Sequence, residues 1–390
     1  MRIQSVTFNS PKNEWKIQKT DFFPGITLLI GLSGVGKTRI LQLLRILKKI
    51  GTGLDHADFN VALGAGSTWS LVCTDDSTNI YEWEGEIEPA PPLATPTSSA
   101  AKNSSGFTQR ISKESLRRND VTVFERRDDT ITLNTAVVPK LNPHLSLLEL
   151  FSGDDAIDQF NQSLAAIQFF DHGSPRLESV VKFSAKGLEE CRAQYVDQES
   201  LRNSRMSLER RLCVAFLCVH ELFDEIVYDF VSVFPFVSEL VFEEATGSST
   251  AKREFHLRFT EHGLSRNHLI SAERLSGGMI NTLRIIMMSH LLQSGSIILI
   301  DEFESSLGPN CLDEATRIIR QNGRHMQFIM TSHHPYVINN IRPENWRIVT
   351  REGGVVATHA AEDLGIGKSH HEAFVQLLNS DLYRHGVSVP

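Results

Sequence analysis

Alternating and continuous apolar runs predict short strands at the start of the chain, over Arg2–Phe8 and Glu14–Gln18. The next run differs from both. Gly25-Ile26-Thr27-Leu28-Leu29-Ile30-Gly31 is almost wholly apolar and closes on glycine, the pattern of a central strand covered on both faces. From Lys37 to Ile50 the period becomes helical. Ile40, Leu41, Leu43, Leu44, Ile46 and Leu47 share a broad face, Lys48 and Lys49 lie at the C-terminal end, and Gly51 and Gly53 stop the helix.

Residues 55–140 change character. Thr68–Thr74 and Asn79–Ile87 read as strands of a β-rich lobe, and Val121–Arg126 with Thr130–Asn134 as a further hairpin. Between them Glu88–Gly106, with Pro89, Pro91, Pro92 and Pro96, lacks the apolar residues a packed segment needs and is expected to be a loop. Leu208, Leu212, Ala215, Val219, Leu222, Ile226 and Phe230 then form one helical stripe, too short for a coiled-coil arm and ended by Pro235. Strands return near 236, and 295–360 alternates strand and helix as a parallel α/β sheet does.

Composition adds exclusions. At 390 residues the chain can bury a large core without disulfide or metal staples. Its 41% apolar and 22% charged residues rule out wholesale disorder. A net charge of −8 argues against coating nucleic acid by bulk charge. Five scattered cysteines without C-x-x-C suit a reducing compartment. With no signal core and no long apolar run, a soluble cytoplasmic protein is expected, with no membrane association.

Three segments carry the chemistry. Gly31-Leu32-Ser33-Gly34-Val35-Gly36-Lys37-Thr38 fits G-x-x-x-x-G-K-[ST], between a buried strand and a helix. Its glycines let backbone amides curl around phosphates, Lys37 is expected to reach the β- and γ-phosphates, and Thr38 to ligate Mg²⁺. The expected ATP-binding set is Gly31, Ser33, Gly34, Val35, Gly36, Lys37, Thr38 and Arg39. The second segment, Ser296-Ile297-Ile298-Leu299-Ile300-Asp301-Glu302, is an apolar strand ending in two carboxylates. Asp301 is placed to hold Mg²⁺ with Thr38, and Glu302 to polarise a water. The third is Leu275-Ser276-Gly277-Gly278-Met279, before a helical pattern over Ile280–Leu292 and about 25 residues ahead of Asp301. Alone it is a capped glycine turn or a second phosphate device.

That combination resembles the ABC-ATPase superfamily. The resemblance implies that Ser276, Gly277 and Gly278 close over the nucleotide held by another subunit, hence a homodimer or higher homo-oligomer with ATP at the interface. Gln327–Thr331 followed by Ser332-His333-His334-Pro335 matches the superfamily's switch-histidine position, which makes His333 a catalytic candidate. A metal site at His333-His334 or His370-His371 is disfavoured, since no further ligand has metal spacing.

Three departures separate the chain from transporter ATPases: Met279 ends the signature, Phe303-Glu304-Ser305-Ser306-Leu307-Gly308-Pro309 follows the carboxylates, and the P-loop and signature lie far apart. These resemble the RecF/Rad50/SMC-like ATPases of the AAA_15/AAA_21 branch. The implied fold is α/β, an ABC-ATPase (P-loop) head with a mixed sheet. Its expected divisions are an N-terminal half over 1–54, a β-rich lobe over 55–140 with the loop near 88–106, a helical subdomain over 141–240 and the C-terminal half over 241–390. Gln159, Gln162 and Gln168 all remain candidates for the Q-loop. About 40 residues follow Arg351, too few for a fused Toprim nuclease, so a separate Toprim-like or HNH effector is expected. The resemblance is to ATPases of antiphage systems, PARIS-type first and Septu-type second, and implies a scaffold and sensor working with ATP and Mg²⁺. The alternative is a DNA-repair clamp that would contact DNA through Lys48-Lys49, Arg117-Arg118, Arg126-Arg127 or Arg210-Arg211.

Overall fold

The computed structural model describes residues 1–53, 63–89, 109–171, 177–245, 252–263, 269–367 and 370–386. Its core begins with the apolar run at 26–30, which forms strand β3 (Ile26–Ile30), buried at every position. Before it come β1 (Arg2–Ser10) and β2 (Trp15–Asp21). After it comes helix α1 (Lys37–Thr52), which buries Ile40, Leu41, Leu43, Leu44 and Leu47 and stops at Gly53 in a left-handed conformation.

The β-rich segment contributes β4 (Thr68–Thr74), β5 (Ile80–Pro89), β6 (Gln109–Arg118), β7 (Val121–Arg127), β8 (Thr130–Leu133) and β9 (Ala136–Val138). Helices α2 (Leu147–Leu150) and α3 (Asp155–Ala165) lead into β10 (Ile167–Asp171). Further along are β15 (Ile297–Asp301), β16 (Gln327–Thr331), β17 (Trp346–Glu352) and β18 (Val355–Ala360). Among the described residues they form one mixed sheet of 14 strands, in the order β10-β15-β16-β3-β17-β18-β2-β1-β4-β5-β6-β7-β8-β9. β15, β16, β3 and β17 run parallel, so their carboxyl ends share one edge, where open α/β sheets bind ligands. The lobe strands from β4 to β9 are antiparallel and continue the same sheet.

By its contacts the chain divides into two units, one of Met1–Phe170, Gly295–Asp301 and Met326–Pro390, the other of Asp171–Ser294 and Glu302–His325. The first holds the large sheet. The second has a small sheet in which β13 (Lys252–Glu261) lies between β11 (Val180–Ser184) and β12 (Val237–Glu244), with β14 (Ile270–Ser271) paired to β13. Its helices are α4 (Ala185–Gln194), α5 (Gln198–Arg202), α6 (Leu208–Cys218), α7 (His220–Val233), α8 (Gly277–Leu291) and α9 (Pro309–Asn322). The first unit closes with α10 (Pro335–Asn340), α11 (His370–Asn379) and α12 (Asp381–His385).

The elements depart from the apolar pattern in three places. No strand is expected from the sequence over β6, which opens on the largely polar Gln109-Arg110-Ile111-Ser112-Lys113-Glu114. The strand nevertheless buries Glu114 at 1% exposure. That carboxylate accepts from Trp83 Nε1 at 3.0 Å, from the Leu147 amide at 2.8 Å and from the Ser146 hydroxyl, with Arg126 at 4.0 Å. Burial pushes its pKa up, against the pull of Arg126 and these donors. Second, Glu88 and Pro89 belong to β5, paired with Arg110 and Gln109, rather than to the loop expected from Glu88 onward. The rest of that loop, from 90 to 106, lies outside the described residues. Third, the stripe over 208–230 is two helices. Val219, at φ −131° and ψ 64°, breaks it without a glycine or proline, so the period reads straight through.

Candidate nucleotide site

Backbone conformation explains the glycines of the 31–38 loop. Gly34 and Gly36 adopt φ of 83° and 110°, where an L side chain is strained. Gly31 is required by close approach, since a Cβ there would lie 2.5 Å from the Val349 carbonyl oxygen of the neighbouring β17. Val35 is buried, while Ser33 and Gly34 are exposed at the crest. Gly36 caps α1, so the helix dipole points its positive end at the loop.

Lys37 folds back over the loop and donates to the carbonyls of Gly31 at 2.7 Å and Leu32 at 2.8 Å. On the next residue, Thr38 Oγ1 donates to Asp301 Oδ1 at 3.0 Å. Thr331 Oγ1 donates to the same oxygen at 2.7 Å. Three strand ends are thereby joined: Asp301 ends β15, Thr331 ends β16, and Thr38 opens the helix that follows β3. β16 lies between the other two strands, with Ile300 opposite Met330 and Thr331 opposite Leu29. Hydroxyl and carboxylate oxygens are the donors a hard cation such as Mg²⁺ takes, so this cluster fits such an ion.

Several contacts around the loop were not legible from sequence. Arg351 Nη1 donates to the Gly34 carbonyl at 3.3 Å, and its backbone amide to Gly386 at 2.7 Å. A Cβ on Gly386 would lie 3.1 Å from Val35 and 3.3 Å from Leu32. Arg39 is exposed and holds its guanidinium 5.2 Å from the Trp15 ring centroid. His333 is exposed two residues beyond the end of β16. His334 instead caps α10, accepting from the Tyr336 amide. Among the described residues no group of three or more His, Cys, Asp or Glu side chains is gathered as a metal site.

In the second unit Ser276 caps α8 through the Met279 amide at 3.2 Å, and Gly277 and Gly278 open the helix. The carboxylate after Asp301, Glu302, takes φ 51°, and Ser306 takes φ 63°. Two tight turns run between them, Ser305 N–H to Glu302 O at 2.7 Å and Leu307 N–H to Glu304 O at 3.1 Å. Such left-handed residues cost energy and are found where a structure over-determines them. Gly308 caps α9.

The basic pairs named for DNA contact are mostly engaged within their own unit. Arg126 is 1% exposed and donates to the carbonyls of Leu145 at 3.0 Å and Asn142 at 3.2 Å. Arg211 is 6% exposed and donates to the carbonyls of Met206, Arg202, Leu291 and Ser204. Lys48 donates to Ile167, and burial lowers its pKa. Arg210 lies over the Phe183 ring at 4.3 Å, and Arg117 pairs with Glu82 at 3.6 Å. Of the Q-loop candidates, Gln159 is tied to Tyr81 at 2.8 Å and to Asp75 at 3.1 Å.

A family model described as "AAA domain, putative AbiEii toxin, Type IV TA system" matches residues 98–339. The span takes in Ser276–Gly278, Asp301, Glu302 and His333; the 31–38 loop lies before it. No curated protein matches. Among solved structures, an SMC head bound to the C-winged helix domain of ScpA is 12% identical, covering 92% of this chain and 97% of its own at a TM-score of 0.49. The SMC head domain from Thermotoga maritima is 13% identical, with 92% and 99% covered, at 0.42. The Smc head from Pyrococcus furiosus with an extended coiled coil, bound to the C-terminal domain of ScpA, is 13% identical, with 93% and 97% covered, at 0.48.

Proposed function

This chain belongs to the AAA_21 family of AAA domains, and we propose that it binds and hydrolyses ATP between two or more copies of itself, as a scaffold and sensor for a separate effector. The observation that carries the ATP reading is Asp301 Oδ1, which receives both Thr38 and Thr331 beside the glycine loop. A chance glycine turn would have no reason to gather two hydroxyls on one carboxylate at the edge where parallel strands end.

The roles follow from the groups present. The amides of Gly31–Gly36 and the N-terminus of α1 face the β- and γ-phosphates. Lys37 exchanges the carbonyls of Gly31 and Leu32 for phosphate oxygens, its ammonium being already at the loop. Thr38 and Asp301 would hold Mg²⁺, which when bound neutralises phosphate charge. Glu302 orients the attacking water and His333 contacts the γ-phosphate side. Ser276, Gly277 and Gly278 act on the nucleotide of a neighbouring copy.

For the wider role we favour control of a separate nuclease in antiphage defence, of the PARIS type before the Septu type. The matched family's description names a toxin, which suits a chain that restrains or releases a harmful partner. The DNA-clamp alternative loses support because Arg126, Arg211 and Lys48 are spent on internal carbonyls. Surface phosphate contacts require free cations gathered on one face.

The test is the mass in solution of Glu302→Gln, with and without ATP and Mg²⁺, followed by pull-down from the host. Assembly with ATP, together with a co-purifying effector that resists high salt, is the expected result. A protein that stays single-chain and assembles only when DNA is added would replace this reading with the clamp.

A further inference from the structure

Gly277 and Gly278 look like residues kept small for a phosphate. The structure assigns Gly278 a second task inside its own chain. A Cβ on Gly278 would lie 2.6 Å from the carbonyl oxygen of Ser306, backbone against backbone. One turn further along the helix, Asn281 is wholly buried and donates Nδ2 to the carbonyl of Ser305 at 3.0 Å. Thr282, equally buried, closes the same turn by donating to the Gly278 carbonyl at 2.8 Å. The first turn of α8 is therefore seated on two consecutive carbonyls of the loop that begins at Glu302.

That loop has little slack. Glu302 and Ser306 both hold left-handed φ, and the turns closed by Ser305 and Leu307 link them residue to residue. Left-handed conformations of non-glycine residues each cost about 1–2 kcal/mol, so they persist only while something holds them. Within this unit the Asn281 amide bonds the Ser305 carbonyl, and the bare Cα of Gly278 leaves room for that of Ser306.

We infer that Asn281 is a positioning residue which couples the Ser276–Gly278 turn to Glu302 of the same chain. The inference rests on the ATPase reading above and deepens it. If the turn engages the nucleotide of a neighbouring copy, a shift at the start of α8 passes through Asn281 and Ser305 to the conformation of Glu302, which serves the chain's own nucleotide. Occupancy of one site then readies the carboxylate of another, and turnover is cooperative in ATP.

The experiment compares wild type, Asn281→Ala, Ser306→Gly and Thr282→Val. ATP binding, ATP-dependent mass and the ATP dependence of turnover are each measured. Asn281→Ala removes the donor to Ser305, whereas Ser306→Gly relieves the left-handed strain, since glycine adopts that conformation freely, and leaves the Asn281 bond in place. Both are expected to keep ATP affinity within about twofold and to keep ATP-driven assembly. Asn281→Ala is expected to lose cooperativity, with kcat falling by up to about 10²-fold, the cost of a small misplacement of a catalytic group, and Ser306→Gly to keep it. Thr282→Val removes the bond to the Gly278 carbonyl within the same buried turn, leaves the Asn281–Ser305 bond in place and keeps cooperative turnover. Two results overturn the inference: Asn281→Ala turning over with wild-type cooperativity, or Thr282→Val and Asn281→Ala failing alike. A wild-type protein that neither binds ATP nor assembles removes the ATPase reading itself. That outcome is read before any variant, so the two failures are distinct.

Discussion

At Gly34 an added Cβ would meet nothing within 4 Å, yet the residue sits at φ 83°. At Gly278, on the first turn of a regular helix, a Cβ would meet the Ser306 carbonyl at 2.6 Å. Both glycines precede or open a helix in a phosphate-like motif. One is required by its own backbone, the other by a neighbouring one. Glycine in a motif therefore has two separable meanings, and the difference decides which function a substitution disturbs. A change at Gly34 acts on the loop that would wrap the phosphates. A change at Gly278 acts on the segment carrying Glu302.

The largest effect should come from the loop side. Lys37→Ala removes the ammonium that bonds Gly31 and Leu32, and with it the charge-assisted contact proposed for phosphate. Titration calorimetry with ATP should show no binding, while thermal melting of the protein alone changes little. Retained ATP affinity would break the comparison, because the 31–38 loop would then not be the nucleotide-binding side at all.

Gly278→Ala comes next. The methyl must push the Ser306 carbonyl aside, a backbone displacement that costs about 1–3 kcal/mol as an overpacking change. Melting should fall by a few degrees and turnover should drop, with ATP affinity preserved. Gly34→Ala should do the reverse. Its open surroundings leave only the left-handed strain of about 1–2 kcal/mol, felt in the loop, so ATP affinity weakens. Measuring affinity and turnover on both variants tests the division directly, and two variants that fail in the same way would abolish it.

The elements flanking the loop were legible because a buried strand, a glycine turn and an amphipathic helix follow one another within 27 residues, from Ile26 to Thr52. What was not legible depends on neighbours distant in sequence. Thr331 becomes a partner of Asp301 only once β16 is known to lie beside β15. Ser306 faces Gly278 only once the turns after Glu302 are formed. Burial hides in the same way. Arg126 stands beside the exposed Arg127 and Arg211 beside the half-buried Arg210, and nothing in the letters says that Arg126 and Arg211 end on backbone carbonyls. Glu114 makes β6 look like a surface segment, although its side chain is sealed between Trp83, Ser146 and Arg126. Each of these polar groups is paid for by partners that the local pattern cannot reveal.

Thr331→Val is the mildest and sharpest test of the nucleotide side. The substitution keeps shape and β-branching and deletes one donor to Asp301, leaving that of Thr38. Thr331 is 2% exposed, so water does not readily replace the lost hydroxyl. Losing the bond should cost about 0.5–1.5 kcal/mol of stability in the absence of nucleotide. If Thr331 serves to hold the carboxylate of Asp301 for a cation, ATP affinity should weaken by less than about tenfold in the presence of Mg²⁺ and stay unchanged in EDTA. An equal loss in both conditions would make Thr331 a prop of the loop rather than of the carboxylate. Asp301 would then be oriented by Thr38 alone, and the line between the two glycine turns would fall one strand nearer the loop.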